Sequence, residues 1–276
     1  MYETYFGLKH RPFSKTPDPK FLFYSRNHEE AFARLQHGVE EKEVIILTGE
    51  VGSGKTTLSR ALMDSLGEKY RVISIFNPRL TPAQFLRIIA KRFEIENIHS
   101  KDDLLEAIYE KVYEDHTKGI TPVIIIDEAH LIPDKATFEE IRLLTNFQLD
   151  AENLLSLILI GQPDLRKRLD RKAYLPLRQR VGLIYHLNPL SYEEIREYIA
   201  HRLRVAGTDE HLFSDEAIET ICRFSHGIPR NINNIASNSM LEGFGLDLQL
   251  ITKEIVYDVV HELGLNGVRI NGRSED

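Results

Sequence analysis

A glycine-rich pattern in the first quarter of the chain constrains the fold more than any other feature. Residues 49–56 read Gly-Glu-Val-Gly-Ser-Gly-Lys-Thr and match G-x-x-x-x-G-K-[ST] at every fixed position. A buried-strand pattern over 44–48 precedes the match, and a helical pattern over about 55–66 follows it. Glycines in this context let backbone N–H groups wrap an anion at a helix N-terminus. The pattern therefore predicts a phosphate-binding loop in an α/β fold.

Each residue type in this loop has a predicted task. Lys55 is expected to reach the β- and γ-phosphates, the Thr56 hydroxyl to bind Mg²⁺, and Thr57 to contact the α-phosphate. A chance match in a glycine-rich turn is the alternative, and the strand–loop–helix context disfavours it. The predicted phosphate-binding residues are Gly49, Glu50, Val51, Gly52, Ser53, Gly54, Lys55, Thr56 and Thr57.

A second pattern supplies acids. The apolar run 123–126 ends in Asp127 and Glu128, so a buried strand would deliver two carboxylates at its C-terminal end, where ligands bind in open α/β sheets. We expect Asp127 to orient Mg²⁺ and Glu128 to polarise an attacking water. Capping of the following segment is the alternative, and it accounts for only one of the two acids.

The elements divide the chain into regions. Strand and helix patterns alternate up to about residue 188, which predicts a parallel sheet flanked by helices. Only helical patterns follow, so we expect a small all-helical lid domain over 189–265 and a flexible tail over 266–276. An arm rich in aromatic residues and prolines, within 1–42, is assigned to the α/β domain, 1–188.

Composition excludes several classes of protein. The chain has 276 residues, a net charge of −7 and one cysteine, so a disulfide framework, a cysteine-rich zinc site and a polyanion-coating protein are not expected. It has no run of 18 apolar residues and no signal peptide at its start, so we expect no direct membrane insertion. A cytoplasmic protein is predicted, with peripheral attachment to the inner membrane through a partner as one possibility.

Together these motifs resemble the AAA+ ATPases, and more closely the ExeA / general secretion pathway protein A family. The shared features run nearly end to end: Met-Tyr-Glu-x-Tyr-Phe-Gly-Leu at the start, the glycine-rich loop, Asp-Glu-Ala-His at 127–130, Leu-Ile-Gly-Gln-Pro at 159–163 and Arg-Gln-Arg at 178–180. Secretion members of the family carry a membrane segment and a peptidoglycan-binding region after the ATPase. The sequence contains neither, so we expect a stand-alone ATPase or an excised ATPase region.

The resemblance implies roles for further residues. Gln162 lies at the sensor-1 position, and Arg178 or Arg180 at the position of an arginine finger that reaches a neighbouring subunit. Arg230, in Gly-Ile-Pro-Arg at 227–230, is similar to a sensor-2 arginine. Gln162 could instead be a turn residue, and Arg178 and Arg180 could be part of a basic surface cluster. Arg230 could be a salt-bridged surface arginine. Hydrolysis would then require a homo-oligomer, either a ring or a filament.

The same resemblance suggests a base pocket and a partner. Phe13, Pro17 and Tyr24 are candidate base contacts, although aromatic residues in an arm usually serve packing. The implied ligands are ATP and Mg²⁺, with no residue that excludes GTP. The implied role is assembly or regulation of an envelope apparatus for secretion, pilus formation or exopolysaccharide export, through a protein partner.

Two alternatives of other classes stay open. The first is an ATP-dependent DNA-binding regulator similar to the transposition proteins TniB and TnsC, because 166–180 carries 7 Lys/Arg and the single acid Asp170. An acidic lid and the lack of a separate DNA-binding module argue against it. The second is a nucleotide switch that does not hydrolyse, which the Asp127–Glu128 pair disfavours.

Overall fold

The computed structural model describes residues 2–14, 19–96, 98, 100–150 and 152–265. The predicted tail, 266–276, lies outside these residues. The chain forms two compact units. The α/β unit is Arg26–Asn188, and the helical unit consists of the described residues of Met1–Ser25 and Pro189–Asp276.

The sheet and the helices are numbered in chain order. The strands are β1 (Val44–Gly49), β2 (Tyr70–Ile75), β3 (Thr121–Ile126), β4 (Ser156–Gly161) and β5 (Val181–Leu187). The α-helices of the described residues are α1 (Tyr2–Tyr5), α2 (Arg26–Glu40), α3 (Lys55–Ser65), α4 (Pro82–Arg92), α5 (Lys101–Thr117), α6 (Lys135–Leu144), α7 (Pro163–Leu169), α8 (Leu175–Arg178), α9 (Tyr192–Ala206), α10 (Asp215–Ser225), α11 (Pro229–Gly245) and α12 (Lys253–Glu262).

The α/β unit is built on a five-stranded parallel sheet with the strand order β2-β3-β4-β1-β5. All residues of β1 and β4 are buried, because helices cover both faces of the sheet. This is the reason for their continuous apolar sequences. The predicted fold class, a parallel sheet flanked by helices with a helical C-terminal portion, is confirmed.

Local sequence signals set several helix boundaries. Thr81 caps α4 and Ser191 caps α9, and each forms a capping box with the residue three positions later. Asp134 caps α6, a helix that was not predicted from the sequence. The side chain of Asp134 accepts a hydrogen bond from the backbone N–H of Thr137, so this helix has its own start signal.

The described residues of the N-terminal arm up to Ser25 belong to the helical unit, whereas the rest of the arm, with α2, belongs to the α/β unit. This differs from the prediction, which placed the whole arm in the α/β domain. Phe6, Phe13 and Phe21 are buried in a core that α9–α12 complete. Arg202 on α9 holds this arm: its Nε donates to the carbonyl oxygen of Pro12 at 2.5 Å, and its guanidinium lies over the ring of Phe21. Apolar residues in an arm predict packing but do not specify which core they join.

Strand register determines where the site lies. In the sheet, Thr48 of β1 is paired with Gly161 of β4, and Ile126 of β3 is paired with Leu159 of β4. The loops after β1, β3 and β4 therefore leave the same edge of the sheet from neighbouring strands. This edge carries the glycine-rich loop, the acid pair and Gln162.

Candidate functional site

The glycine-rich loop connects β1 to α3 with the backbone geometry that phosphate binding needs. Gly52 and Gly54 have φ angles of 83° and 101°, in the left-handed region that favours glycine. A Cβ atom on Gly49 would lie 2.8 Å from Ser53 Oγ and 2.9 Å from the carbonyl oxygen of Leu187, so a side chain does not fit there. Since α3 begins at Lys55, its first N–H groups lack intrahelical acceptors and are available to an anion.

The side chain of Lys55 lies across this loop. Its ammonium group donates hydrogen bonds to the carbonyl oxygens of Gly49 and Glu50, both at 2.8 Å. The residue is only 6% exposed, so a cation is buried against the backbone of the loop. A buried cation in a concave loop attracts a negatively charged ligand, and the loop residues fit a phosphate group.

The two acids after β3 have different environments. Asp127 is 4% exposed, and its carboxylate accepts hydrogen bonds from Thr56 Oγ1 at 2.9 Å and from the backbone N–H of Glu128 at 2.8 Å. Glu128 adopts a left-handed φ of 53°, and its side chain is 39% exposed. The first carboxylate is thus fixed beside the loop, and the second is free to meet a water molecule.

The described residues contain no group of three or more His, Cys, Asp and Glu side chains arranged to hold a metal by themselves. A P-loop magnesium site needs few protein ligands, because phosphate oxygens and water complete the coordination. The Thr56 hydroxyl and the Asp127 carboxylate, already in contact, fit such a site.

His130, the last residue of the Asp-Glu-Ala-His run, lies between two predicted site residues. Its Nδ1 is 3.4 Å from the backbone nitrogen of Gln162 and 3.4 Å from Glu128 Oε2. A ring without a hydrogen on Nδ1 accepts from the Gln162 N–H, whereas a ring that carries a hydrogen on Nδ1 donates to Glu128. The histidine therefore links the ends of β3 and β4. The only sequence signal was its position two residues after Glu128, which is weak by itself.

Gln162 lies where the register requires, directly after β4 and at the N-cap position of α7. Its side chain makes no capping hydrogen bond to this helix. The predicted sensor position therefore remains available to a ligand.

The candidate arginine fingers differ in their surroundings. Arg178 Nε lies 3.2 Å from Asp170 Oδ1, and its side chain is 31% exposed. Arg180 is exposed and forms no ion pair with any part of the chain that the structure describes. An arginine without an internal partner is the better candidate for a contact with another molecule.

The basic stretch 166–180 is not a uniform charged surface. Arg168 donates to the carbonyl oxygens of Ile132 and Pro133, and its guanidinium lies over the rings of Phe138 and Tyr174. This arginine serves internal packing. With Arg178 held by Asp170, part of the stretch is unavailable to a DNA backbone.

The structure places the predicted sensor-2 residue, Arg230, in the helical unit. Arg230 is exposed in the first turn of α11, just after Pro229. Gly227 precedes this turn with a φ of 72°, and a Cβ atom on it would lie 2.3 Å from the carbonyl oxygen of Leu190, so only glycine fits. This close approach fixes the start of α11, and with it the position of Arg230.

The predicted base contacts have different outcomes. Phe13 is 2% exposed, and its ring packs edge-on against Phe213 with centroids 6.0 Å apart. It is a core residue of the helical unit, which argues against a base contact. Tyr24 is 41% exposed and stays a prediction. Pro17 lies outside the described residues.

One further titratable group lies beside the loop. His186 on β5 has its Nδ1 3.0 Å from Thr48 Oγ1, at the end of β1. Burial lowers the pKa of His186, and the positive charges of Arg166 and Lys55 lower it further, against an opposing effect of Glu50. The imidazole therefore stays neutral to a lower pH than an ordinary histidine does.

Comparison with known proteins identifies the family. A family model described as an AAA domain matches residues 37–169, which include the loop and the acid pair. General secretion pathway protein A of Aeromonas hydrophila is 37% identical over 279 residues, covering 99% of this chain. The chain has an AAA domain in a P-loop fold of the AAA+ type, and it is similar to general secretion pathway protein A over nearly its whole length. It spans 50% of that relative's length.

More distant AAA+ relatives share the fold. The RuvB subunit of the Holliday junction branch migration complex from Fervidobacterium nodosum is 27% identical over 265 residues, with 90% of this chain and 67% of RuvB covered. The crystal structure of Cdc6p from Pyrobaculum aerophilum superimposes with a TM-score of 0.69 at 17% identity, with 94% of this chain and 72% of Cdc6p covered. The similarity to Cdc6p shows a shared AAA+ fold.

Proposed function

We propose that this AAA+ chain hydrolyses ATP with Mg²⁺, by in-line attack of water on the γ-phosphate. The observation that carries the proposal is the contact between Thr56 and Asp127, at 2.9 Å, beside a buried Lys55. In such a site a hydroxyl and a carboxylate bind the magnesium ion or its water molecules, and a lysine binds the phosphates. Bound Mg²⁺ would neutralise charge that develops on the β- and γ-oxygens.

The residues divide this work. Lys55 would leave its carbonyl partners to meet the β- and γ-phosphates, and the loop N–H groups would hold the β-phosphate. Glu128 would orient and polarise the water, while Gln162 would contact the γ-phosphate or that water. The partial exposure of Glu128 supports this division, because the base must reach a solvent molecule.

Assembly completes the proposed site. Arg180, exposed and without an ion pair in the described part of the chain, would reach the γ-phosphate bound to a neighbouring subunit, and Arg178 is the second candidate. Arg230 would respond to the presence of a γ-phosphate. Nucleotide state would thereby control a homo-oligomer, a ring or a filament.

The biological role follows from the relative. We propose that the chain lies in the cytoplasm and uses nucleotide-driven assembly to build or regulate an envelope apparatus. It would act through a protein partner at the inner membrane. The support is the 37% identity to general secretion pathway protein A along nearly the whole chain. Among the described residues no helix is both long enough and apolar enough to cross a membrane.

The experiment measures the ATPase rate against protein concentration, with and without duplex DNA, at low and moderate salt. We expect a rate that rises more steeply than in proportion to protein concentration and does not respond to DNA. A rate raised many-fold by DNA and suppressed by salt would instead support the TniB/TnsC-like alternative, which the internal contacts of Arg168 and the acidic helical unit do not favour. Absence of turnover at every concentration would contradict the proposal.

A further inference from the structure

Helix α2 places a buried histidine directly beneath the glycine-rich loop. His28 is 4% exposed, on the same helix face as Ala31, Leu35 and Val39, which pack on the α/β core. Its Nε2 lies 3.1 Å from the carbonyl oxygen of Ser53. A carbonyl oxygen can only accept, so Nε2 carries the hydrogen and donates it.

The ring also fills the space beside Gly54. A Cβ atom on Gly54 would lie 2.9 Å from His28 Nε2. Gly54 thus has two reasons to be glycine: its left-handed φ of 101° and the ring against its Cα. The histidine and the loop are fitted to each other, and α2 is part of the loop's support.

The consequence follows from the rigidity of the peptide group. The carbonyl of Ser53 and the N–H of Gly54 belong to one planar peptide, and the described residues contain no cis peptide bond. In a trans peptide the two bonds point in opposite directions. Because His28 holds the carbonyl oxygen on the side of α2, the N–H of Gly54 is directed away from α2.

We infer that His28 is a positioning residue that orients the Gly54 N–H toward a bound phosphate. This inference rests on the proposed function of the loop and deepens it. Backbone N–H groups bind a phosphate well only when their direction is fixed beforehand, since reorienting a peptide during binding would cost affinity. A glycine on each side of Ser53, at 52 and 54, leaves this peptide free to rotate unless something outside the loop holds it.

The test is a matched pair of variants, His28→Gln and His28→Met. The two side chains have similar length and flexibility, and only glutamine offers an N–H at a position like that of Nε2. We expect His28→Gln to keep the KM for ATP within about threefold of the unmodified protein. We expect His28→Met to raise the KM about tenfold with kcat little changed, because the contact serves substrate and transition state equally.

Controls separate positioning from general damage. His37, exposed on the same helix, provides His37→Met as the control for substitution itself. Thermal unfolding is measured for each variant, and binding of ADP by calorimetry checks the KM values. Should His28→Met fail to fold, His28→Asn replaces it, because its amide is one methylene too short to reach Ser53.

The outcomes are distinguishable. If the unmodified protein binds no nucleotide, the proposed function itself fails. If it binds nucleotide and the Gln and Met variants have the same KM, whether near normal or equally raised, the donor role of His28 is wrong. Only a selective loss in the variant without the donor, rescued by glutamine, supports the inference.

Discussion

Thr56 Oγ1 donates a hydrogen bond to Asp127 Oδ2 at 2.9 Å, which joins the first turn of α3 to the end of β3. The contact spans 71 positions in the sequence and links the two motifs that the sequence identifies separately. It holds the two predicted magnesium ligands side by side. This contact supports the proposed site for a hydrated divalent cation.

Removal of the Asp127 charge should weaken the metal more than the nucleotide. In Asp127→Asn the amide oxygen can still accept from Thr56, but the negative charge is lost. We expect the Mg²⁺ concentration for half-maximal ATPase activity to rise about tenfold or more. A Mg²⁺ titration at saturating ATP measures it. Asp164→Asn, at an exposed acid on α7, is the control. An unchanged titration curve in Asp127→Asn would exclude Asp127 as a metal ligand.

Removal of the Lys55 ammonium should abolish tight nucleotide binding. Lys55→Ala takes away the buried cation that the phosphates are proposed to meet. We expect the Kd for ATP to rise about 100-fold or more, measured by calorimetry, because a desolvated charge contact is lost. Lys91→Ala, at an exposed lysine of α4, makes the same change of charge outside the site. Tight ATP binding by Lys55→Ala would contradict the assignment of the loop.

Neutralising Glu128 should separate binding from turnover. Glu128→Gln keeps the shape of the side chain but cannot accept a proton from water. We expect kcat to fall about 100-fold or more while the Kd for ATP stays within about threefold. Single-turnover and binding measurements are made on the same preparation. The same change at Glu106 or Glu110, two exposed residues of α5, is the control. Turnover near that of the unmodified protein in Glu128→Gln would exclude Glu128 as the base.

An arginine supplied by a neighbour can be detected by mixing subunits. Arg180→Ala keeps an intact site but lacks the finger, and Glu128→Gln keeps the finger but lacks the base. We expect each variant alone to be nearly inactive and an equimolar mixture to recover roughly a quarter of the normal rate, as random pairing of neighbours implies. Co-sedimentation shows whether the two variants assemble together. If mixed oligomers form and stay inactive, Arg180 is not the finger, and Arg178→Ala is tested in the same way.

Stability should depend on pH through His186. Burial lowers the pKa of this histidine in the folded protein, so the unfolded chain binds its proton first as the pH falls. The free energy of unfolding should therefore decline as the pH drops below about 6.5, the ordinary histidine value. Urea unfolding between pH 5 and about 7.5 measures the slope.

His186→Gln should reduce this slope without removing it. Part of the slope should remain because burial also lowers the pKa of His201, which is packed against Phe23. His37→Gln, at an exposed position, should leave the slope as it is. A slope unchanged in His186→Gln would show that this group does not carry the dependence.

The parts of the site that could be predicted are those with strong local signals. Glycine spacing predicted the loop, and apolar runs predicted β1, β3 and β4, because a strand that is covered on both faces has few polar positions. Their adjacency in the sheet was not readable from the runs. It became visible only in the register, which brings Gly161 beside Thr48.

The parts that were missed depend on distant contacts. His28 and His130 are single histidines in helical or turn sequence, and nothing local separates a buried donor from a surface residue. Phe13 looked like a candidate base contact because an aromatic ring in an arm can pack or bind. Its burial against Phe213, 200 positions later in the sequence, could not be foreseen from the arm alone.

The arrangement of the two units along the chain has a consequence for synthesis. The α/β unit is one continuous segment, Arg26–Asn188, while the helical unit draws on both sides of it. During translation, Phe6, Phe13 and Phe21 leave the ribosome before the α/β unit, whereas α9–α12, which bury them, follow that unit. The nascent chain therefore carries an uncovered aromatic segment while the nucleotide-binding half folds. We expect this segment to be the part of the newborn protein most exposed to chaperones.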